Sequence, residues 1–402
     1  MILLSLVLSL SVTAPFDSVP VPEVAGAAPH AHADYRAEPR HTLVAPEAAG
    51  LRTSDLLRAA ESVEREIRRG GFPGAALAIG RRDQVVVERG FGHLDWLGGS
   101  EIVDPDLSVY DLASLTKVVA TTTAVMLLVE DGKLALDTPV RTLLPGFSGG
   151  GKDFVTIRHL LTHTSGLPAG AEIRGRFPEQ ALAGAIATRL EHAPATSVEY
   201  SDIGFIVLAA AAAQAAGEPL YRLLDRRVFG PLGMRSTTFL PGEWCARCAP
   251  TDQRRDGSFH RGIVHDPLAQ QLGGIAGHAG LFSTVHDLAR FAAMLSRGGE
   301  LDGIRVLKAE TLWMFTQRQP GAGTRALGWD TPDPRGAGAA GLKISPGSFG
   351  HTGFTGTSLW VDPVKGTWAV LLSNRTFEPR GPNRMQALRR QVNDLVASAV
   401  EE

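Results

Sequence analysis

The chain has 402 residues, 44% of them hydrophobic and 20% charged. That is enough apolar content for a sizeable core and excludes a wholly disordered chain. A formal net charge of −2 gives no basis for nucleic acid or an anionic membrane surface as a partner.

In chain order, the first signal is an apolar run, Ile2 to Val12, interrupted only by serines. It is too short to span a bilayer and suits the apolar part of a signal segment, although no Lys or Arg precedes it. Residues 1–28 are therefore read as a signal segment and the chain as exported, periplasmic or secreted. If the run is not a signal, the chain is cytoplasmic. Residues 29–50 are rich in Pro and Ala and lack periodicity, which reads as a linker. Residues 51–402 form the folded domain. No later run is expected to reach membrane-spanning length.

Leu56, Ala60, Val63 and Ile67 recur at helical spacing, so Ser54 to Arg69 is expected as an amphipathic helix. Thr53 or Ser54 would cap it, and Gly70-Gly71 would end it. Two apolar runs, 75–79 and 85–88, flank a polar turn and read as a hairpin. From about 113 to 317 the pattern is mostly helical. The runs 358–361 and 367–373 read as a second strand pair. Met385, Leu388, Val392, Leu395 and Ala399 mark a last helix. Strand signals at both ends and helix signals between them predict an α+β architecture. Its antiparallel sheet is closed from the two ends, flanked by the terminal helices, with a helical region inserted.

Chemistry concentrates in four places. Only six of the forty basic residues are lysines, and one of them, Lys117, has a serine, Ser114, three positions before it. Val118 to Glu130 reads as a helix, so the hydroxyl and the amine would share its first turn. A serine hydroxyl needs an adjacent base, and a lysine in a partly dry pocket can lose its proton and serve as one. Tyr200-Ser201-Asp202 opens a second helix, Ile203 to Ala216. His351-Thr352-Gly353 precedes the Ser358 strand. His159 and His163 stand four apart like half of a metalloprotease helix, but position 160 is Leu where that motif needs Glu, so no metal is expected. His265-Asp266 and His278 lie among glycines and read as a loop wall. Trp329 and Trp360 read as packing residues. Cys245 and Cys248 have no second pair to complete a zinc site; they read as loop cysteines that pair if the chain is exported.

With Ser114-Leu115-Thr116-Lys117, Tyr200-Ser201-Asp202 and His351-Thr352-Gly353 in this order, the chain resembles the serine β-lactamase and D,D-peptidase superfamily. The likeness is to its class C β-lactamase-like branch and covers residues 51–400. The stretches His159 to Pro168, Phe229 to Met234 and Gly277 to Ser283 add to it. The resemblance implies the β-lactamase/D,D-peptidase fold and a serine hydrolase working on an amide or ester through a Ser114 acyl-enzyme. It implies that Lys117 takes or relays the Ser114 proton and that Tyr200 passes it to the leaving group. Thr352 and Gly353 would line the substrate edge, and the backbone N–H groups of Ser114 and Phe354 would form the oxyanion hole.

Two positions depart from the family pattern. Asp202 stands where Asn is usual. An ionised aspartate only accepts hydrogen bonds, so it would pair with Lys117, keep it protonated and shift base duty to Tyr200. His351 stands where β-lactamases have Lys and would be only partly charged near neutral pH, holding a substrate carboxylate less firmly. The substrate expected is a small molecule or a peptidoglycan peptide, with no cofactor; oligomeric state is left open. D,D-carboxypeptidase, esterase and weak β-lactamase activities compete, and Asp202 keeps open a non-turnover penicillin or peptidoglycan sensor.

Overall fold

The computed structural model describes residues 41–401 apart from 174, 243 and 244. The expected signal segment, 1–28, and most of the 29–50 linker lie outside the described residues. The described chain opens with helix α1 (Thr53–Arg68), then strands β1 (Gly74–Arg81) and β2 (Gln84–Gly92) and the short β3 (Tyr110–Asp111). Helices α2 (Thr123–Glu130), α3 (Ile157–Leu161), α4 (Pro178–Ala187), α5 (Asp202–Ala216) and α6 (Leu220–Leu224) follow. Next come β4 (Thr238–Phe239), α7 (Pro267–Gln271), β5 (Leu281–Ser283), α8 (Val285–Ser296), β6 (Glu300–Leu301), β7 (Ile304–Arg305) and α9 (Ala309–Thr316). The chain closes with β8 (Phe349–Thr352), β9 (Ser358–Asp362), β10 (Thr367–Ser373) and α10 (Met385–Ala399).

The main sheet has the order β2-β1-β10-β9-β8 and is antiparallel throughout. Its strands come from both ends of the chain, as the sequence predicts, with β1 and β10 in register from Ala75↔Ser373 to Arg81↔Thr367. Alternation divides its residues between two cores. Ala75, Leu77 and Ile79 pack with Leu56, Val63, Leu388 and Val392 of α1 and α10. Ala76 and Ala78 face the larger core with Phe291, Val370 and Leu372 on the α8 side. Both faces are therefore dry, which explains strands that are nearly continuously apolar. Gly80 sits where the indole of Trp368 crosses the strand: a Cβ there would lie 2.1 Å from the ring. Trp329 and Trp360 are buried packing residues.

Several local expectations change. The N-cap of α1 is Arg52 without a side-chain cap; the Thr53 hydroxyl donates instead to Glu47 at 2.5 Å. The helix expected over Val118 to Glu130 is α-helical only from Thr123. Ahead of it lie a 3-10 turn, Ala113–Leu115, and a π-helical stretch, Lys117–Thr122. Ala113–Glu130 together make 18 residues apolar enough to cross a membrane by length and composition, which corrects the expectation that no such run exists. The stretch is 83% buried inside the fold, where α5, α6 and α9 pack around it.

Candidate active site

Local strain presents Ser114. The residue before it, Ala113, has φ +47°, a left-handed conformation that L residues rarely take. Asp111 holds it there: one carboxylate oxygen accepts the Ala113 N–H at 2.8 Å and the other accepts the His265 N–H at 2.7 Å. Asp111 is fully buried, and burial pushes its carboxyl up to about 6 despite these two bonds. The first bond of the turn runs from Leu115 N–H to Leu112 O, which leaves the Ser114 N–H ahead of it.

One turn on, the Lys117 Nζ lies 3.1 Å from Ser114 Oγ. Lys117 has no solvent exposure, while Ser114 is half-buried. The same Nζ donates to the His278 carbonyl at 3.1 Å and pairs with Asp202 Oδ1 at 2.6 Å. Burial works against the ammonium. Tyr200 and Asp202 outweigh it, so Lys117 is held above the ordinary lysine range.

Helix α5 sets Tyr200 and Asp202. Ser201 is its N-cap, accepting from the Gly204 N–H at 2.9 Å and donating to Pro168 O at 2.6 Å. His163 buttresses the turn before it. Its carbonyl accepts from Glu199 N–H, its Nδ1 accepts from Ser201 N–H at 3.0 Å, and its ring lies 4.5 Å from that of Tyr200. Burial holds His163 well below the usual histidine range, so it is neutral. Its partner in the i, i+4 pair, His159, accepts from Thr156 N–H through Nδ1 as part of a helix cap. Neither imidazole is arranged as half of a metal site.

His351 departs from its expected charge state. It is buried, and burial depresses its pKa well below the ordinary value; the nearby Arg325 and Lys117 charges add to this. In the neutral ring, Nδ1–H donates to Thr352 O at 2.8 Å, leaving Nε2 a buried acceptor without a partner. The expectation of a partly cationic imidazole is thus corrected. The cation near it is Arg325, whose guanidinium lies 5.2 Å from the Tyr200 ring centroid, which Lys117 Nζ also approaches at 4.9 Å. Arg325 also reaches Asp330 at 3.8 Å. No spacing marks Arg325 in the sequence; Asp111, three residues before the serine, is visible only as a possible turn cap.

Gly353 has no space for a side chain: a Cβ would lie 2.0 Å from Thr357 Oγ1 and 2.4 Å from Leu112 O. This close approach brings the turn after β8 against the serine turn. Two hydroxyls fasten them, Thr355 to Asp111 O at 2.7 Å and Thr357 to Leu112 O at 2.9 Å. Thr352 is half-buried on the edge strand β8. Phe354 is exposed at the rim, 5.6 Å from the His265 ring and beneath Arg375 at 4.5 Å. His278 and Asp266 are joined at 2.8 Å. Cys245 and Cys248 are bonded to each other. The arrangement brings a hydroxyl, a buried amine, a phenol and a carboxylate into one cleft beside an edge strand.

The family model described as Beta-lactamase matches residues 59–394. A relative in Escherichia coli K12 named "Putative D-alanyl-D-alanine carboxypeptidase" is 31% identical over 392 residues, covering 85% of this chain and 88% of that protein. Among solved structures, a penicillin-binding protein homologue from Caulobacter crescentus superposes with TM-score 0.70 at 20% identity, covering 87% of this chain and 99% of that one. EstCE1, described as a hydrolase with promiscuous acyltransferase activity, superposes with TM-score 0.68 at 24% identity, covering 86% and 99%. Both structural likenesses speak for the fold.

Proposed function

The chain belongs to the Beta-lactamase family and is a serine hydrolase, and from that premise we propose that it is an exported D,D-carboxypeptidase-like enzyme with Ser114 as nucleophile. The observation that carries this reading is the 3.1 Å contact between Ser114 Oγ and a fully buried Lys117 Nζ, itself paired with Asp202. With Tyr200 and Asp202 keeping Lys117 protonated, the first acceptor of the Ser114 proton is the Tyr200 oxygen as phenolate, whose ring lies near the two cations Lys117 and Arg325. Ser114 Oγ bonds to the substrate carbonyl carbon. The Ser114 and Phe354 N–H groups take the oxyanion, Tyr200 returns the proton to the departing amine as the C–N bond breaks, and water hydrolyses the ester. Thr352 and Gly353 present the strand edge to the peptide.

A substrate with a terminal carboxylate fits Arg325 better than the neutral His351. In a panel of a D-Ala-D-Ala peptide, p-nitrophenyl acetate and nitrocefin, the peptide should be turned over best. Arg325→Ala should raise KM for the peptide about tenfold, the value of one charge-assisted contact, and leave the neutral ester's KM unchanged. Equal effects on both substrates would refute the carboxylate role. The Asp202–Lys117 pair favours a second reading, a non-turnover sensor. Fluorescent penicillin that labels Ser114 and never leaves, with no hydrolysis of any panel member, would select it.

A further inference from the structure

Arg389, on α10, is half-buried with its Nε fully enclosed, and no carboxylate pairs with it among the described residues; the neighbouring charge is a second cation, Arg375. Taking part of an uncompensated guanidinium out of water is costly unless its donors are used. Its Nη2 donates to Gly353 O at 2.7 Å and to Thr357 O at 2.8 Å, the two ends of the turn after β8, while its Nε is buried without a partner. The Gly353 carbonyl belongs to the same peptide unit as the Phe354 N–H. A trans peptide points these two groups in opposite directions, and no cis peptide occurs among the described residues.

We infer that Arg389 is a positioning residue that orients and polarises the Gly353–Phe354 peptide from behind, making its N–H a stronger oxyanion donor in the cleft. Two features of the turn support this. A hydrogen bond from a cation to a carbonyl draws charge through the amide and strengthens the N–H at its other end. The turn is also fixed on its other side, by the Thr355 and Thr357 hydroxyls on the Asp111 and Leu112 carbonyls that lead into the serine turn, so a donor from α10 leaves the peptide plane little freedom to rotate. The inference rests on the proposed role of Phe354 and Ser114, and the test separates the two.

Wild type, Arg389→Met, Arg389→Lys and the control Arg390→Met are acylated with benzylpenicillin carrying a 13C carbonyl, and the isotope-edited infrared band of the adduct is recorded beside steady-state kinetics. Arg390 donates to Gly336 O at 3.0 Å, the same chemistry on the same helix away from the turn. In Arg389→Met the carbonyl band should move up toward its position in the denatured adduct. The same variant should lose about 10- to 100-fold in kcat, less than deleting an oxyanion donor outright, with KM within about twofold. Arg389→Lys should fall between, and it carries the readout if the Met variant does not fold; Arg390→Met should leave the band in place. An adduct on Ser114 with an unmoved band in both Arg389 variants overturns this inference alone. No Ser114 adduct on wild type overturns it together with the reading beneath it.

Discussion

Two buried clusters of titratable groups flank the main sheet, one at each edge. At the β2 edge, Glu88 receives the Nδ1 of His286 at 2.9 Å on one oxygen and the Nδ1 of His41 on the other. The two rings stack 3.9 Å apart, and Asp106 sits 3.4 Å from His286. At the β8 edge, His351 and His163 each keep one buried ring nitrogen without a partner, beside a half-buried Ser114 and Tyr200. The first cluster balances two imidazoles against two carboxylates within itself. The second has two buried ring nitrogens that nothing in the described chain satisfies. Buried polar groups in native proteins are mostly satisfied, and the ring nitrogens of the second cluster are the ones beside the Ser114 hydroxyl and the Tyr200 phenol. Charge density alone does not separate a site from a latch; the two clusters differ in how completely their ring nitrogens are used.

The sharpest way to break this contrast is to remove the proposed nucleophile. Ser114→Ala should abolish covalent labelling by fluorescent penicillin and lower turnover at least about 10^4-fold, because residues that act as a unit fail together. Lys117→Ala should cost nearly as much in acylation rate. Thermal midpoints should stay near wild type for Ser114→Ala, whose hydroxyl is half-exposed. Equal labelling of Ser114→Ala and wild type would move the active site elsewhere.

The β2-edge cluster should give the opposite phenotype: lost stability with retained activity per folded molecule. Glu88→Gln leaves two imidazoles without their carboxylate and should cost about 3–5 kcal/mol, as for breaking any buried pair. The pH dependence follows from the shifts. Burial raises the Glu88 pKa, but the two histidines outweigh it and hold the carboxyl down at about 2, against an ordinary 4.5. Its contribution is therefore complete above about 4.5 and disappears as pH falls toward 2. His286 is the reverse case: burial lowers its pKa, yet Glu88 raises it above 6.5, so its contribution is full below that value and fades as pH rises through the folded pKa. Asp106, raised chiefly by burial and then by Glu88, repels Glu88 when ionised but supports the His286 cation. Denaturant midpoints from pH 2 to 9 should show the acid limb flattened in Glu88→Gln. A wild-type-like acid limb in that variant would remove Glu88 from the account.

The contrast also marks what the sequence could convey. Alternation and polar turns located β1, β2, β9 and β10, because each pattern is local. Ser-x-x-Lys and the Asp202–Lys117 pairing were legible, because a serine one turn from a scarce lysine and a carboxylate replacing an amide carry their chemistry in their types. The His351 charge state was not, since its burial is a tertiary fact. Arg325 and Arg389 were not either. They act on Tyr200 and on the Gly353 turn across long stretches of chain, and an arginine-rich sequence marks no arginine as special. His163 was visible as half of an apparent metal pair and as part of the His159 to Pro168 stretch, but its role was not; its use of Nδ1 on Ser201 requires the turn at 199–201 to fold back on it.

The smallest predicted effect tests the electrostatics of the β8 edge without dismantling it. Asp202→Asn keeps the shape of the side chain and removes the charge that pairs with Lys117 at 2.6 Å. Lys117 is held above its ordinary range in part by that charge, so its pKa should fall. The alkaline limb of the kcat/KM profile should then move to lower pH by about 1 unit, the low end for losing an adjacent opposite charge, with only a few-fold change at the optimum. His351 should contribute no inflection between pH 6 and 8 in either enzyme, because burial keeps it neutral there. An alkaline limb that stays put would mean that Tyr200 rather than Asp202 sets the Lys117 proton. The phenol would then carry both the proton transfer and the electrostatics of the site, and Asp202 would be left with its place in the first turn of α5.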